Sequence, residues 1–551
     1  MSGYDDDSKP VLIIIELKQW SSSKLSPKDG IVIAMRGGRT FETEGPHPSY
    51  QAWSYAALLN GFNEAIYSAN IKLKPCAYLH NHPQNSAIDN NFYREYMDQA
   101  PLFLKGDIER DRLRKFISQH VKFGDSSKVI EIVDGGKIRP SKALADSLSK
   151  MIKGNQEFVL IDEQKVVRET VLSISGAASE SNKKVIIIEG GPGTGKSVVA
   201  INLLVELTKR GQVAKYVSKN AAPRAVYKSK LAGTLRQIEI SNMFSGSGAF
   251  IDTDSNAFDT LIVDEAHRLN EKSGLYGNLG DNQIRELVRS AKCSIFFIDE
   301  SQRVTLSDIG RVKEIEAIAI SEGASVTKCE LSSQFRCNGS DGYLAWIDST
   351  LEIRETANFH FDSTSYDFKV FSSASELHNA LYDLNLKNNK ARVVAGYCWK
   401  WNSKNNPSAI DIELDNGAYK RRWNLQQDGS LWIISPNSIE EVGCIHTCQG
   451  LEVDYIGVII GPDLVVRGDK IITNYKMRAA ADRRKSLSGI EGIFRKNPSE
   501  AIELADEIIK NTYRTLMTRG MRGCYIYSED KETRAYFTKH SNLGVVSQFE
   551  I

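Results

Sequence analysis

The sequence lacks a long hydrophobic run, which argues against a membrane-spanning helix. Among its 551 residues, no apolar stretch approaches the ~20 residues that a helix needs to cross a bilayer. The longest candidate, Val11–Ile15, is long enough only for a buried strand. The acidic N-terminus also lacks the basic and then apolar order of a secretory signal. These absences predict a cytoplasmic protein without a membrane partner.

Paired cysteine motifs and an excess of either charge are also missing. The eight cysteines show no C-x-x-C spacing, which is typical of a reduced, cytoplasmic protein. Cys444, His446 and Cys448 would offer three metal ligands on one side of a strand, but no fourth ligand is visible. We therefore interpret them as small buried residues. Lys plus Arg total 70 against 69 for Asp plus Glu, so a nucleic-acid surface would have to be a local patch.

The chain length suggests about three domains. Residues 1–125 read as a small mixed α/β module, with a strand at Val11–Leu17, a helix from Tyr50 to about Ile66 and a second strand at Ile71–His80. Residues 126–345 and 346–551 each contain strongly apolar strands separated by loops and helices. That pattern is typical of parallel sheets covered on both faces. The polar segment near 402–440 predicts an inserted hairpin region.

The apolar strands of the two larger regions fix the predicted fold class, which is α/β. The sequence predicts two tandem domains with parallel sheets, preceded by the smaller α/β module. The strands predicted for the two sheets are Val185–Ile188, Val213–Val217, Thr260–Val263 and Ile295–Ile298 in the first, and Ala391–Gly396, Tyr455–Ile460 and Gly523–Tyr527 in the second.

A glycine-rich segment follows the first of these strands and precedes a helical pattern, which is the context of a phosphate-binding loop. Glycines let backbone N–H groups wrap around phosphates, and the helix N-terminus adds a favourable dipole. The lysine should reach the β- and γ-phosphates, and the following serine should hold Mg²⁺. ATP and Mg²⁺ are therefore the predicted cofactors. The loop residues are Gly190, Gly191, Pro192, Gly193, Thr194, Gly195, Lys196 and Ser197.

Polar residues at the ends of the next strands complete the predicted nucleotide site. Asp264 would bind Mg²⁺ and Glu265 would polarise the attacking water. Gln302 follows a later strand and is placed to sense the γ-phosphate. Upstream, Gln164 could place its amide against adenine, although an isolated glutamine is a weak signal.

The order of motifs in the second half makes the class more specific. The chain resembles superfamily 1 helicases and, more narrowly, the Schlafen group 3-like DNA/RNA helicase domain family, over roughly residues 150–551. The resemblance implies two RecA-like domains and ATP-driven action on DNA or RNA, with a single strand expected as partner. The motifs that carry it are Asp264-Glu-Ala-His-Arg268, Asp299-x-x-Gln302, Gln334-Phe-Arg336, His446-Thr-Cys-Gln-Gly-Leu-Glu452 and Leu516-Met-Thr-Arg-Gly-Met-Arg-Gly-Cys-Tyr525.

The same resemblance implies roles for individual residues. Arg336 and Arg519 match arginine fingers, which grip phosphate oxygens with a planar fork, and Arg514 and Arg522 are nearby reserves. Glu452 matches a position that hydrogen-bonds the ribose. The residues matched to nucleic-acid contact or coupling are Asn220, Arg224 and Gln449, and Trp399 could stack on bases or pack in the core.

The N-terminal module resembles half of a PD-(D/E)xK nuclease site. Glu16 and Lys18 end a hydrophobic strand, where the carboxylate would bind Mg²⁺ and the lysine would position the attacking water. Gln51 and Tyr55 lie four residues apart on the following helix. The second carboxylate of such sites is missing, because Asp5–Asp7 sit in the predicted hairpin turn. A degenerate module that docks or grips DNA is the alternative.

Three functions therefore compete. The leading hypothesis is an ATP-dependent helicase or translocase. The second is an ATP-gated nuclease effector of a defence system. The third is a nucleotide-controlled nucleic-acid-binding switch that hydrolyses ATP slowly and never unwinds.

Overall fold

The computed structural model describes residues 1–551 apart from 36–40, 127, 137–147, 149, 152–158, 275–277, 333–340, 355–365, 405, 425–428, 449–451 and 543–551. The chain divides into two compact units. Unit 1 comprises Met1–Ala177 and Ser197–Glu206, and unit 2 comprises Ala178–Lys196 and Leu207–Ile551. Among the described residues, no helix has the length and apolar character that a bilayer crossing requires.

Unit 1 contains a mixed sheet, a small antiparallel sheet and several helices. The mixed sheet has the order β7-β6-β2-β1-β8, and the small one has the order β3-β4-β5. The elements are β1 Ser2–Tyr4, β2 Pro10–Lys18, β3 Lys24–Leu25, β4 Ile31–Met35, β5 Glu42–Pro46, α1 Pro48–Phe62, α2 Glu64–Ser68, β6 Lys72–Leu79, α3 Arg94–Gln99, β7 Leu102–Phe103, α4 Asp107–His120, β8 Phe123–Gly124, α5 Val129–Asp134 and α6 Asp162–Gly176.

The strands predicted in the N-terminal module are confirmed, and the predicted helix is shorter than expected. β2 pairs in parallel with β6, and the turn after β1 contains Asp5, as predicted. The helix expected from Tyr50 to about Ile66 ends instead at Phe62, because the side chain of Asn63 accepts a hydrogen bond from Ile66 N and starts a second helix. Asparagine favours such capping positions over helix interiors.

Unit 2 begins with the first parallel sheet, whose order is β11-β10-β12-β13-β9-β14. Every neighbouring pair in it is parallel. Its elements, with α7 extending into unit 1, are β9 Lys184–Gly190, α7 Lys196–Lys209, β10 Ala214–Ser218, α8 Ala221–Leu231, α9 Gln237–Met243, β11 Phe244–Ser245, β12 Phe258–Asp264, α10 Gln283–Ser290, β13 Ala291–Ile298, α11 Val312–Ser321 and β14 Ser325–Leu331.

The second parallel sheet of unit 2 has the order β15-β23-β20-β16-β19. Two antiparallel hairpins, β17-β18 and β21-β22, accompany it. Its elements are α12 Asp341–Thr350, β15 Asp367–Val370, α13 Ala374–Asn388, β16 Ala391–Ala395, β17 Ile412–Leu414, β18 Tyr419–Arg421, β19 Val442–Gly443, α14 Ile445–Cys448, β20 Val453–Ile460, β21 Leu464–Arg467, β22 Lys470–Thr473, α15 Ala480–Ser486, α16 Ile490–Lys496, α17 Pro498–Met517, β23 Gly520–Ser528 and α18 Lys531–Asn542.

The α/β fold with two parallel sheets is confirmed, and so is an antiparallel pair within the insertion near 402–440. Aromatic side chains hold that insertion against the second sheet: Tyr397 stacks on Trp423 with ring centroids 4.9 Å apart. Trp399 is half-buried and packs on the same core. This packing favours the core role of Trp399 over base stacking.

The cysteine and histidine cluster does not form the predicted strand. Ile445–Cys448 is a short helix. Within the described ranges, no three His, Cys, Asp or Glu side chains come together in a way that could hold a metal ion. Cys444 and Cys448 are buried thiols, as the interpretation of buried residues expects.

The core of the first parallel sheet should be sensitive to truncation. Phe296 lies on β13 between two partner strands and is fully buried. We expect Phe296→Ala to lower the free energy of unfolding by about 3–5 kcal/mol, because it removes a buried ring and leaves a cavity. Urea unfolding followed by circular dichroism measures this loss. Ile320→Ala is the control, since Ile320 is 63% exposed, and its effect should stay within about 0.5 kcal/mol.

Candidate nucleotide site

The loop after β9 is built around the ammonium group of Lys196. Lys196 Nζ donates to the carbonyl oxygens of Gly190 at 2.6 Å and Gly191 at 2.7 Å. Gly193 and Gly195 have φ values of +80° and +82°, a backbone region that favours glycine. The loop therefore curls closely around a cation, and its residues fit a bound phosphate.

Three neighbouring strands bring the predicted side chains to one edge of the first sheet. β12, β13 and β9 are adjacent and parallel, so their carboxyl ends meet there. Asp264 ends β12, Asp299 follows β13, and the loop with Lys196 follows β9. Lys196 Nζ lies 3.6 Å from Asp299 Oδ2, and both side chains are at least nine-tenths buried.

Asp264 is held in place by two hydrogen bonds. Tyr216 OH donates to Asp264 Oδ2 at 2.7 Å, and Glu265 N donates to Asp264 Oδ1 at 2.9 Å. Burial together with the nearby Asp264 raises the pKa of Tyr216, so its hydroxyl stays a donor. These two hydrogen bonds orient the Asp264 carboxylate at the end of β12, and a carboxylate oxygen is a ligand that Mg²⁺ accepts.

Glu265 is a buried carboxylate kept in its charged form. Its φ is +56°, a region uncommon outside glycine and often found at functional sites. Burial acts to raise its pKa, but His267, with Nε2 3.0 Å from Glu265 Oε2, outweighs burial together with Lys196 and Arg519. The pKa of Glu265 therefore lies well below its usual range. A carboxylate that stays anionic can accept a proton from water.

Gln302 connects the first sheet to Arg519 of the second half. Gln302 Nε2 donates to Asp299 Oδ2 at 2.7 Å, and Arg519 Nη2 donates to Gln302 Oε1 at 2.9 Å. Arg519 is 1% exposed and immediately precedes β23. Lys196, Asp299, Gln302 and Arg519 thus form a continuous chain of contacts from the phosphate-binding loop to the second sheet.

Arg514, the reserve arginine, has a different environment. Its guanidinium pairs with Asp348 of α12, with Arg514 Nη2 3.2 Å from Asp348 Oδ2, and Arg514 Nη1 donates to Ser301 Oγ at 3.0 Å. Arg522 lies 3.4 Å from Asp454. Sequence patterns did not indicate Asp348, because it belongs to none of the motifs. Arg336 lies outside the described residues, so its role stays a prediction.

The predicted ribose and nucleic-acid residues are placed as follows. Glu452 and Arg519 directly precede the neighbouring strands β20 and β23. Asn220 caps α8 by accepting from Ala222 N at 3.2 Å, and Arg224 Nε donates to Asn220 O at 3.3 Å. Gln449 lies outside the described residues. None of these positions tests the predicted contacts with ribose or nucleic acid.

In unit 1, Gln164 lies in the first turn of α6, and its Oε1 accepts from Ile161 N at 3.4 Å. Ser197 is the second residue of α7. Both remain predicted nucleotide ligands.

The nuclease-like residues of unit 1 come with a carboxylate that sequence patterns missed. Lys18 Nζ lies 2.6 Å from Glu16 Oε1 at the end of β2. Gln51 Nε2 and Tyr55 OH donate to the two carboxylate oxygens of Asp162, at 2.8 and 2.7 Å. Burial, Asp162 and, to a smaller extent, Glu16 raise the pKa of Tyr55, so its hydroxyl stays a donor to Asp162. Asp162 follows a long segment without a motif, which left no signal in the sequence.

A phosphate-binding loop, a strand-end aspartate and a buried glutamate at one edge of a parallel sheet define a P-loop nucleoside triphosphatase. The chain belongs to the family described as Schlafen group 3, DNA/RNA helicase domain, which matches residues 183–530. The resemblance stated from the motifs is confirmed.

The curated relatives and solved structures that resemble this chain have low sequence identity to it. An uncharacterised protein of Saccharomyces cerevisiae is 23% identical over 75% of this chain and 98% of that protein. Protein RecA of Allorhizobium ampelinum is 28% identical over 32% of this chain and 56% of RecA, so the chain matches about half of RecA. The SWI2/SNF2 ATPase core of Sulfolobus solfataricus in complex with dsDNA covers 66% of this chain and 87% of that one, at 9% identity and a TM-score of 0.23. A score this low does not bear on function.

The contact between His267 Nε2 and Glu265 Oε2 predicts a shift in the pH dependence of hydrolysis. In His267→Ala only Lys196 and Arg519 are left to oppose the effect of burial, so the pKa of Glu265 should rise. The acid limb of the kcat profile for ATP hydrolysis should then move to higher pH. Steady-state kinetics across the acidic range measure the limb. An acid limb that stays in place would contradict the role of His267.

Proposed function

We propose that the chain couples hydrolysis of Mg²⁺-ATP to movement along a nucleic-acid strand, as an ATP-dependent helicase or translocase. This proposal rests on the series of contacts that runs from Lys196 through Asp299 and Gln302 to Arg519. A change at the γ-phosphate would disturb Lys196 and Gln302 first and would then reach the second sheet through Arg519. The helicase family of residues 183–530 supports nucleic acid as the partner, and single-stranded DNA or RNA is the proposed form.

Within this proposal, the residues of the first sheet perform the hydrolysis. Lys196 and the loop N–H groups bind phosphate oxygens, Ser197 and Asp264 hold Mg²⁺, and Glu265 accepts the proton of the attacking water. Bound Mg²⁺ neutralises charge on the phosphate oxygens. Gln302 reports the γ-phosphate to its neighbours.

The second half and the flanking segments supply the remaining groups. Arg519 and Arg336 deliver positive charge to the phosphate that leaves, a contribution on the order of 10³–10⁵ in rate for arginine fingers. Gln164 contacts adenine and Glu452 contacts the ribose. The residues proposed to contact the strand or to couple it to ATP are Asn220, Arg224 and Gln449.

A second candidate function, an ATP-gated nuclease, is favoured by one observation in unit 1. Glu16 and Lys18 lie together at the carboxyl end of β2, and Asp162 provides a second carboxylate near Tyr55. Two carboxylates and a lysine are the groups that a Mg²⁺-dependent nuclease needs. Glu16 would be the metal ligand, and Gln51 would orient Asp162.

The motor proposal is tested by ATPase assays with and without single-stranded DNA or RNA. We expect nucleic acid to stimulate hydrolysis by the parent chain. Lys196→Ala should abolish stimulated hydrolysis, and Arg519→Ala should lower kcat by on the order of 10³-fold. Arg495→Ala is the control, because Arg495 is an exposed arginine of α16.

Two results would contradict the motor proposal. Stimulation that survives Lys196→Ala would overturn the assignment of the phosphate site. If the parent hydrolyses ATP slowly and nucleic acid does not accelerate this hydrolysis, the result would favour the nucleotide-controlled binding switch.

The nuclease candidate is tested by Mg²⁺-dependent cleavage of labelled single- and double-stranded substrates. We expect the parent to cleave, and Glu16→Gln and Lys18→Ala to lose on the order of 10²-fold in rate. Glu42→Gln, which changes an exposed glutamate of the same unit, should cleave like the parent. An inactive parent would leave only the docking role for this module.

A further inference from the structure

A buried carboxylate in unit 2 lies beside two cations. Asp308 is 1% exposed. Its Oδ2 lies 3.1 Å from Arg268 Nε, and its Oδ1 lies 3.4 Å from Lys219 Nζ. Lys219 Nζ also donates to Asn270 Oδ1 at 2.6 Å. One carboxylate thus serves two cations, and the Lys219 side chain keeps 26% of its surface exposed.

Helix α15, Ala480–Ser486, is fixed to the rest of unit 2 by its inner face. Arg478 Nη1 donates to Asp482 Oδ2 at 3.1 Å, and Ser486 Oγ donates to Asp482 Oδ1 at 2.6 Å. Leu306 N, from the same loop as Asp308, donates to Ser486 O at 2.8 Å. These bonds connect α15 to the loop that carries Asp308 and hold the helix in one orientation.

The outer face of α15 is basic. Arg484 and Lys485 are exposed, and neither forms an ion pair with any carboxylate in the part of the chain that the structure describes. Burial is the main cause that lowers the pKa of Lys219 to about 8, and Arg268 and Lys485 contribute to the same shift. Because Ser486 O accepts from Leu306 N in the loop that also carries Asp308, the basic face of α15 adjoins the cations around Asp308.

We propose that Lys219, Arg484 and Lys485 form one surface that binds the phosphate backbone of a nucleic-acid strand. Arg484 and Lys485 have no carboxylate partner among the described residues, and Lys219 shares Asp308 with Arg268. These cations therefore repel one another, and an approaching polyanion reduces that repulsion. Two of the three side chains project from a helix that is anchored on its other face, so little ordering is needed on binding. Contacts with phosphates carry no sequence information. The surface should therefore bind strands of different sequence alike.

This inference rests on the proposed function. Arg484 and Lys485 belong to none of the motifs, whereas Lys219 lies in the segment 218–224 that resembles the family segment expected to touch the phosphate backbone. Asn220 and Arg224, which follow Lys219 in sequence, were predicted as strand contacts. Lys219 would extend that contact towards α15. The strand would then touch residues that follow the first sheet and residues of the second half together.

The test compares two double variants of the full chain. Binding of a fluorescent oligothymidylate and of a mixed-sequence strand is followed by anisotropy over a series of salt concentrations. Arg484→Ala/Lys485→Ala should weaken binding of both strands alike. It should also reduce the slope of log Kobs against log[salt] by about 1.4, since each lost phosphate contact on a single strand removes about 0.7. Circular dichroism melting checks that the variant is folded.

Arg495→Ala/Lys496→Ala is the matched control. It removes the same charge from the exposed end of α16 and should retain the parent's affinity and slope. If it loses as much as Arg484→Ala/Lys485→Ala, total charge and not this surface governs binding, and the proposal is wrong. A polyaspartate competitor that displaces the strand at equal charge concentration would show a surface for acidic peptides, which also overturns it.

The parent chain separates this inference from the motor proposal. A parent that binds neither strand, and whose hydrolysis no strand stimulates, contradicts the proposed function itself. The second case is a parent that binds the strands and is stimulated by them. If Arg484→Ala/Lys485→Ala then binds equally well and with the same salt slope, only the assignment of this surface is contradicted.

Discussion

Buried charge is the constraint on which the arrangement of unit 2 depends. Lys196, Asp299, Arg514 and Arg519 are all at least nine-tenths buried, and a charged group in that environment is costly unless a partner compensates it. Their partners come from both parallel sheets and from the helices between them. The two halves of unit 2 are thus joined at positions where buried charges compensate one another. Removing one of these charges therefore leaves its partner buried and uncompensated.

The sequence was sufficient for features that depend on neighbouring residues. Seven strands of the two sheets follow from apolar runs, whereas β11, β14, β15 and β19 were not predicted. The loop around Lys196 follows from glycine spacing between a strand and a helix. Asp264 and Glu265 could be predicted because they directly end a strand beside that loop. The helix after β5 was predicted too long, because the capping ability of Asn63 competed with helical propensity.

Contacts between residues that are far apart in the chain could not be predicted from the sequence. Arg514 stood out as an arginine near a motif, but only the folded chain supplies Asp348 as its partner. The carboxylate of Asp162 reaches Gln51 and Tyr55 across more than a hundred residues of sequence. Charge pairing of this kind leaves no local pattern, because either partner alone looks like an ordinary surface residue. Arg336 and Gln449 stay predictions for a simpler reason, since they lie outside the described residues.

The hydrogen bonds from Gln51 and Tyr55 to Asp162 connect two helices of unit 1, α1 and α6. Asp162 opens the helix that carries Gln164 two residues later, and Tyr55 belongs to the helix beside the strand of Glu16 and Lys18. A ligand that shifted one of these helices would also affect the other helix. By thermodynamic linkage, a ligand bound at the second helix would affect binding at the first by the same free energy. A ligand bound at the end of β2 and a ligand bound by Gln164 would therefore change each other's affinity by the same factor.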